Sequence, residues 1–410
     1  MKFLGISSRT AAALCATVSV VGAGSAQQTS QGTTEYWMTA DTASGMASMM
    51  GGGATGGGGP DPSAAMRMMM GGGGGQAAHL LNLRLASPRT AANPEAEHVP
   101  PAVLGAGHSL PLVTPPASRR AEARNSMVPE GMERPRGRIL IYWGCGDHAR
   151  PGQPVVVDFA QLSAGEIPAA FGNAGISGIA LPGPESRPGY GEWPNQRTRT
   201  SVPATGSLVG GHVVRGNYTP EISFTLTQQQ DFLDPVRLTA SEAASSGAVP
   251  LAWAPVPGSR AWLATVFGGT QRGDVIMWSS SEVQALPMAL GMGHFSDADL
   301  ARGVRERQLL PGETARCTVP AEVAGATEGA MLSLTAFGGE ASFAHPVRPA
   351  NAPASWRPEW TVTLLRKSSH MSLLGLDMSD MMGASERNEN PAEGEGNPRR
   401  RTLLDRLRGQ

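Results

Sequence analysis

The chain has 410 residues with 33 basic and 34 acidic side chains, a formal net charge of -1, so no global field draws it to nucleic acid or to an anionic membrane. It carries 53 glycines and 33 prolines, and lysine occurs only at Lys2 and Lys367, a compositional bias that describes the genome more than an activity. The histidines are dispersed and no His-Glu-x-x-His, Gly-x-Ser-x-Gly or phosphate-loop pattern is present, which removes most metal hydrolases and nucleotide enzymes.

Lys2 and Arg9 precede an apolar run over residues 11–21, and small residues follow as far as Ala26. This is the layout of a cleavable secretory signal over 1–26. The run is shorter than the roughly 18 apolar residues that span a bilayer, so cleavage near Ala26 is expected. Cys15 fits an acylation site poorly, because bulky Leu14 precedes it. A periplasmic or secreted protein without a transmembrane segment after signal cleavage is the expectation.

Residues 27–76 alternate glycine blocks with methionines at Met46, Met49, Met50, Met66, Met68, Met69 and Met70. Such a composition loses much backbone entropy on folding and buries little, which predicts a disordered leader. Leu81, Leu83 and Leu85 alternate with polar Asn82 and Arg84, predicting one short strand inside an otherwise extended, proline-rich segment and linker over 77–136.

A mainly β body follows, read as one or two β-sandwich domains and divided at 137–226 and 227–366. Strands are predicted over 138–143, 155–159, 207–214, 221–226, 274–278, 331–337 and 360–365 from apolar alternation and flanking turn residues. A long loop over 181–205 carries Tyr190 and Trp193. A helical insertion is predicted over 281–310: one helix over 282–290 capped by Ser280 or Ser281, and another over 300–310, where Ser296 and Asp299 resemble a capping box and Gly303 counts against the helix. Residues 367–410 read as a disordered tail, ending in a basic run at Arg399 and short apolar spacing at Leu403, Leu404 and Leu407.

Within the second half, Trp253 ends an apolar stretch, Val256 and Gly258 follow in a turn, and Trp262 opens the next stretch. This pattern resembles the B-strand to C-strand hairpin of bacterial fibronectin type III modules, with Trp262 where that family usually has tyrosine. Leu251 and Trp253 share one strand face, and Trp262, Ala264 and Val266 share another, as half-buried sandwich strands require. The resemblance covers about thirty residues and implies a fibronectin III or Ig-like fold without an activity.

Two cysteines remain after signal cleavage, Cys145 and Cys317, and in an oxidising compartment they either form one disulfide or stay as separate thiols. Cys145 lies three residues from His148, a spacing that suits a nucleophile or a metal site but equally a turn after a strand. The methionines at 66–70, and a second group at Met371, Met378, Met381 and Met382 beside His370, are soft ligands of the kind that suit Cu(I). Tyr190 and Trp193, with Asn195 and Gln196 adjacent, supply the materials of a ligand surface for a sugar; the alternative is that Trp193 plugs the edge of the sandwich.

The expectation is a non-enzymatic, cofactor-free protein of the cell envelope, acting as a binding or structural module for an envelope protein or a glycan. The alternatives are a periplasmic copper-binding protein using the methionine-rich segments, and an envelope hydrolase whose site assembles from distant strands.

Overall fold

The computed structural model describes residues 32–51, 77–116, 137–158, 176–198, 200–284, 290–291 and 293–375. Within them the chain is mainly β, with strands numbered here in chain order. The largest sheet runs from edge to edge as β6 (Val155–Asp158), β5 (Arg138–Trp143), β13 (Val275–Ser279), β12 (Ser259–Gly269), β16 (Glu328–Gly338), β18 (Trp360–Leu373), β1 (Thr34–Gly45), β2 (Ala78–Ser87) and β7 (Gly189–Trp193). Two short strands join it from the side, β14 (Leu310–Pro311) on β12 and β17 (Ala341–His345) on β18.

Alternation along these strands decides what lies on each face. Tyr36, Met38 and Ala40 of β1 are buried on the same side as Val362 and Leu364 of β18 and Leu334 and Ala336 of β16, since in-register neighbours share a face. Two smaller sheets cover that face. One, with order β4 (Leu110–Leu112), β3 (Ala96–Val99), β8 (Gly210–Gly216) and β9 (Ile222–Leu226), closes a core over β1 and β2 that includes Leu83, Leu85, Val214 and Phe224. The other, with order β10 (Leu238–Ala240), β11 (Val249–Trp253) and β15 (Arg316–Val319), closes a core over β12, β13 and β16 that includes Trp253, Trp262, Trp278 and Leu332. The result is sandwich-like.

The opposite face is covered in part by α2 (Asp297–Arg305), which packs Leu300 against Ala261 and Leu263 of β12 and Phe337 of β16. Ser296 caps it as expected: its hydroxyl oxygen accepts the Asp299 N–H at 3.0 Å. The helix ends earlier than the predicted 310, because Arg307 adopts the left-handed conformation at φ 60 and turns the chain toward β14. Gly303 is tolerated for a packing reason: a Cβ there would press on Ile176 and Leu309. Two shorter helices are α1 (Met46–Gly51) and α3 (Ala321–Ala326).

Several expectations are corrected. The leader predicted to lack structure over 27–76 contains β1, an interior strand of twelve residues paired on both sides. The glycine blocks begin only beyond it, and the alternation of Tyr36, Met38 and Ala40 is a strand signal that the averaged composition hides. In the segment 77–136 the expected strand at Leu81 to Leu85 is present as β2, but the remainder, expected to lie extended, also supplies β3 and β4. The division at 226 does not hold either: β5 pairs in parallel with β13, and β1 pairs in parallel with β18, so both predicted domains and the leader share one sheet. The tail predicted from 367 begins inside β18. Ser280 and Ser281 do not cap a helix at 282: Ser280 accepts the Ala264 N–H at 2.9 Å and Ser281 donates to the Val283 carbonyl at 2.7 Å. The signal segment 1–26, Met66 to Met70, and the C-terminal basic run lie outside the described residues. No helix among the described residues is long and apolar enough to cross a membrane.

Candidate functional site

A group of three largely buried ionisable side chains sits on the α2 side of the large sheet. Asp41 follows Ala40 on β1 and therefore points away from the sandwich core. Its in-register neighbour on the parallel strand β18 is Lys367. His294 arrives from the segment leading into α2, which is fixed by the Ile179 N–H donating to the His294 carbonyl at 2.7 Å and by Phe295 meeting Phe337 edge to face at 5.2 Å.

Asp41 Oδ1 lies 2.7 Å from His294 Nε2, and Asp41 Oδ2 lies 4.0 Å from Lys367 Nζ. The three side chains are 17 %, 11 % and 13 % exposed, respectively for Asp41, His294 and Lys367, so the attraction is little screened. Burial pushes the Asp41 carboxyl upward, but His294 and Lys367 together more than offset this and hold it below the usual carboxylate range. With Asp41 ionised, His294 Nε2–H is the donor, which leaves Nδ1 as an acceptor in the neutral ring. Hydroxyls surround the group: Asn82 donates to Thr39 Oγ1 at 3.3 Å, and the Thr335 and Ser369 hydroxyls lie 3.2 Å apart. Such a cluster can orient an imidazole and hold a polar group against it, and it also pins the α2 entry to the sheet.

A second polar group is buried inside the sandwich. Tyr36 Oη lies 2.6 Å from His98 Nδ1, His98 Nε2 lies 3.0 Å from His212 Nδ1, and His212 Nε2 lies 2.7 Å from the Leu208 carbonyl. The carbonyl fixes every proton. His212 Nε2–H must donate to it, so His212 Nδ1 accepts from His98 Nε2–H, and His98 Nδ1 accepts the tyrosine hydroxyl. This assignment holds for neutral rings, the form that burial favours. Burial lowers both imidazoles, His98 well below the usual range with a further push from His212, and raises the Tyr36 phenol.

Cys145 and Cys317 form a disulfide with Cα atoms 5.3 Å apart. The thiol needed for a nucleophilic reading of Cys145 and His148 is therefore consumed. His148 instead faces Glu322 of α3 at 3.2 Å, and Glu322 also accepts the Ala149 N–H at 2.8 Å, which makes this stretch a tied turn.

The expected ligand surface at Tyr190, Trp193 and Asn195 is corrected: the three residues are 2 %, 3 % and 6 % exposed. They belong to β7 and the turn after it, where Trp193 packs into the core and Tyr190 donates to Glu192 at 3.0 Å. The Asn195 amide donates to the carbonyls of Pro111 and Glu192 at 2.7 and 2.8 Å. Of the second methionine group only Met371 is described, on β18; its neighbour His370 lies 3.1 Å from Ser44 Oγ. Among the described residues no group of three or more His, Cys, Asp or Glu side chains could hold a metal.

An open groove of about 520 Å³ lies beside α2, lined by Leu300, Val304 and Pro311 together with Arg260, Asp297 and Glu313. Sequence reasoning passed over both this groove and the Asp41 cluster. His294 and Lys367 lie 253 and 326 positions from Asp41, respectively; the one local signal was a lysine in a chain whose basic residues are otherwise almost all arginine. No family model matches this sequence, and no curated protein or solved structure matches it either.

Proposed function

We propose that the chain is an exported, non-enzymatic protein of the cell envelope that serves as a binding or structural module. The Cys145–Cys317 disulfide carries this reading. Such a bridge persists where thiols are not kept reduced, and it agrees with the signal layout over residues 1–26. It ties the end of β5 in the large sheet to β15 in the three-stranded sheet, which suits a module that must stay folded outside the cell.

The groove beside α2 is the place where a partner would dock. Its apolar lining residues and the charges of Arg260, Asp297 and Glu313 allow recognition by burial and by charge together. A surface of this kind suits an envelope protein or a charged glycan. The corner formed by β11 and β12 is read as fibronectin type III-like; what supports this is that Trp253 and Trp262 come from strands in different sheets and still meet ring to ring at 5.4 Å.

The test is export itself. The full chain with its own N-terminus is expressed in a diderm bacterium, fractionated, and its mature N-terminus sequenced. Recovery in the periplasm or medium with a mature end near Gln27 supports the proposal; recovery in the cytoplasm with Met1 or Lys2 at the N-terminus overturns it.

A further inference from the structure

The two small sheets are fastened to the large one by different chemistry. The three-stranded sheet is held covalently through Cys317 of β15. The four-stranded sheet is held by packing, by the paired Val113 and Glu192 backbones and the Asn195 bond to Pro111 along the β4 edge, and in the interior by the bond from Tyr36 of β1 to His98 of β3, which His212 of β8 backs from within the same sheet. His98, His212 and Tyr36 are each at most 1 % exposed, so neither water nor an anion reaches the rings while the layer is closed.

We propose that the four-stranded sheet is an acid-released leaf: the Tyr36–His98–His212 chain latches it onto the large sheet at neutral pH, and protonation of the two imidazoles frees it in mild acid while the disulfide keeps the three-stranded sheet in place.

The bonds are all made with neutral rings. A proton on His212 Nδ1 would face the His98 Nε2–H donor head-on and remove that bond, and a proton on His98 Nδ1 would reverse the tyrosine bond and leave the Tyr36 hydroxyl hydrogen without its acceptor; either proton leaves a buried charge with no counter-ion. The other groups that face the pair offer no compensation. From β9 comes the ring of Phe224, itself packed on Phe343 of β17, from β1 the Tyr36 hydroxyl, and from the turn before β8 the Leu208 carbonyl, already occupied. No carboxylate is within hydrogen-bonding distance of either ring among the described residues.

His79 of β2 lies on the same seam, stacked on Phe232 at 4.0 Å with Nδ1 3.1 Å from the Gly206 carbonyl and with Asp231 nearby; burial lowers it as well. His370, also lowered by burial, bonds Ser44 within the large sheet and so does not cross the seam.

The sign follows from where the proton binds. In the opened leaf each imidazole titrates near the ordinary value of 6.5, and in the closed leaf it titrates lower. Opening therefore becomes easier as pH falls through 6.5 and continues to do so down to the closed-state values. At pH 5 each histidine favours opening by up to about 30-fold, and the pair by up to about 1,000-fold.

Hydrogen exchange on the intact, oxidised full-length chain at pH 7.5 and pH 5.0, corrected for the intrinsic pH dependence of exchange, reads this out by segment. The expected result is loss of protection in β3 and β8 at pH 5.0, with β11 and β15 unchanged. In the double variant His98→Gln, His212→Gln the response should shrink to the share of His79, at most about 30-fold. If that variant does not fold, His212→Gln alone should give an intermediate response, and Tyr36→Phe, which removes the bond between the sheets but keeps both buried imidazoles, should lower protection in β3 already at pH 7.5 and still lose more at pH 5.0. Protection in β3 and β8 that is indifferent to pH, simultaneous loss in both small sheets, or a full acid response in the glutamine variants would overturn the proposal.

Discussion

Trp253 and Trp262 meet tilted at 44° with ring centroids 5.4 Å apart, although the strands that carry them share no hydrogen-bonded ladder. Each indole N–H donates at 2.9 Å to the same connecting turn, Trp253 to the Thr314 carbonyl and Trp262 to the Gly312 carbonyl. The pair therefore joins the large sheet, the three-stranded sheet and the turn between β14 and β15. Trp262→Ala should cost about 3–5 kcal/mol, as truncation of a fully buried aromatic does. Because the rings touch, Trp253→Ala combined with it should cost less than the sum of the two. Urea unfolding followed by tryptophan fluorescence checks both values.

Trp193 gives a contrasting test. It is buried beside Leu83, its partner in the β2–β7 ladder, so Trp193→Ala should lower stability by about 3–5 kcal/mol. Binding to cell-wall polysaccharide, measured per folded molecule, should not change. Selective loss of retention at unchanged melting temperature would return Trp193 to a ligand surface.

Asp41 is held below its usual range in the folded chain, so its contribution to stability is present above about pH 4 and is lost as pH falls through the depressed folded value. Asp41→Asn should remove that contribution, leave Lys367 short of this neighbour, and loosen the segment that carries His294. Breaking such a partly buried pair should cost about 1–3 kcal/mol at pH 7. The difference between wild type and variant should narrow in acid, which denaturant titrations at pH 7 and pH 3 would measure.

Gly45 ends β1 at φ 60, and a Cβ there would collide with the Met371 carbonyl and the His370 ring. Gly45→Ala should therefore destabilise by about 1–3 kcal/mol despite the smaller entropy of the unfolded alanine chain. Thermal unfolding of the variant decides the sign.

The periodic strands were legible because one face of each is buried against a sheet: Leu81 to Leu85, Arg138 to Trp143 and Met331 to Phe337 all alternate or run apolar as a pleated strand requires. The Ser296 cap was legible for the same local reason. What sequence could not supply was pairing over distance. β1 and β18 are in register from Thr34↔Trp360 to Gly45↔Met371, and nothing in either stretch names the other. The Asp41, His294 and Lys367 cluster depends on that pairing, so it was invisible for the same reason. Trp193 was misplaced because an aromatic between glycines and prolines reads as a loop, whereas Gly189 and Gly191 are strand residues packed beneath the Tyr218 ring.

The most direct measurement is non-reducing peptide mapping, with thiol alkylation, of the mature chain recovered from the periplasm. The account predicts a single linked peptide pair joining Cys145 to Cys317, no alkylation before reduction, and a stability loss of about 2–5 kcal/mol once the bridge is reduced. Alkylation of both cysteines in the unreduced, folded protein would contradict it.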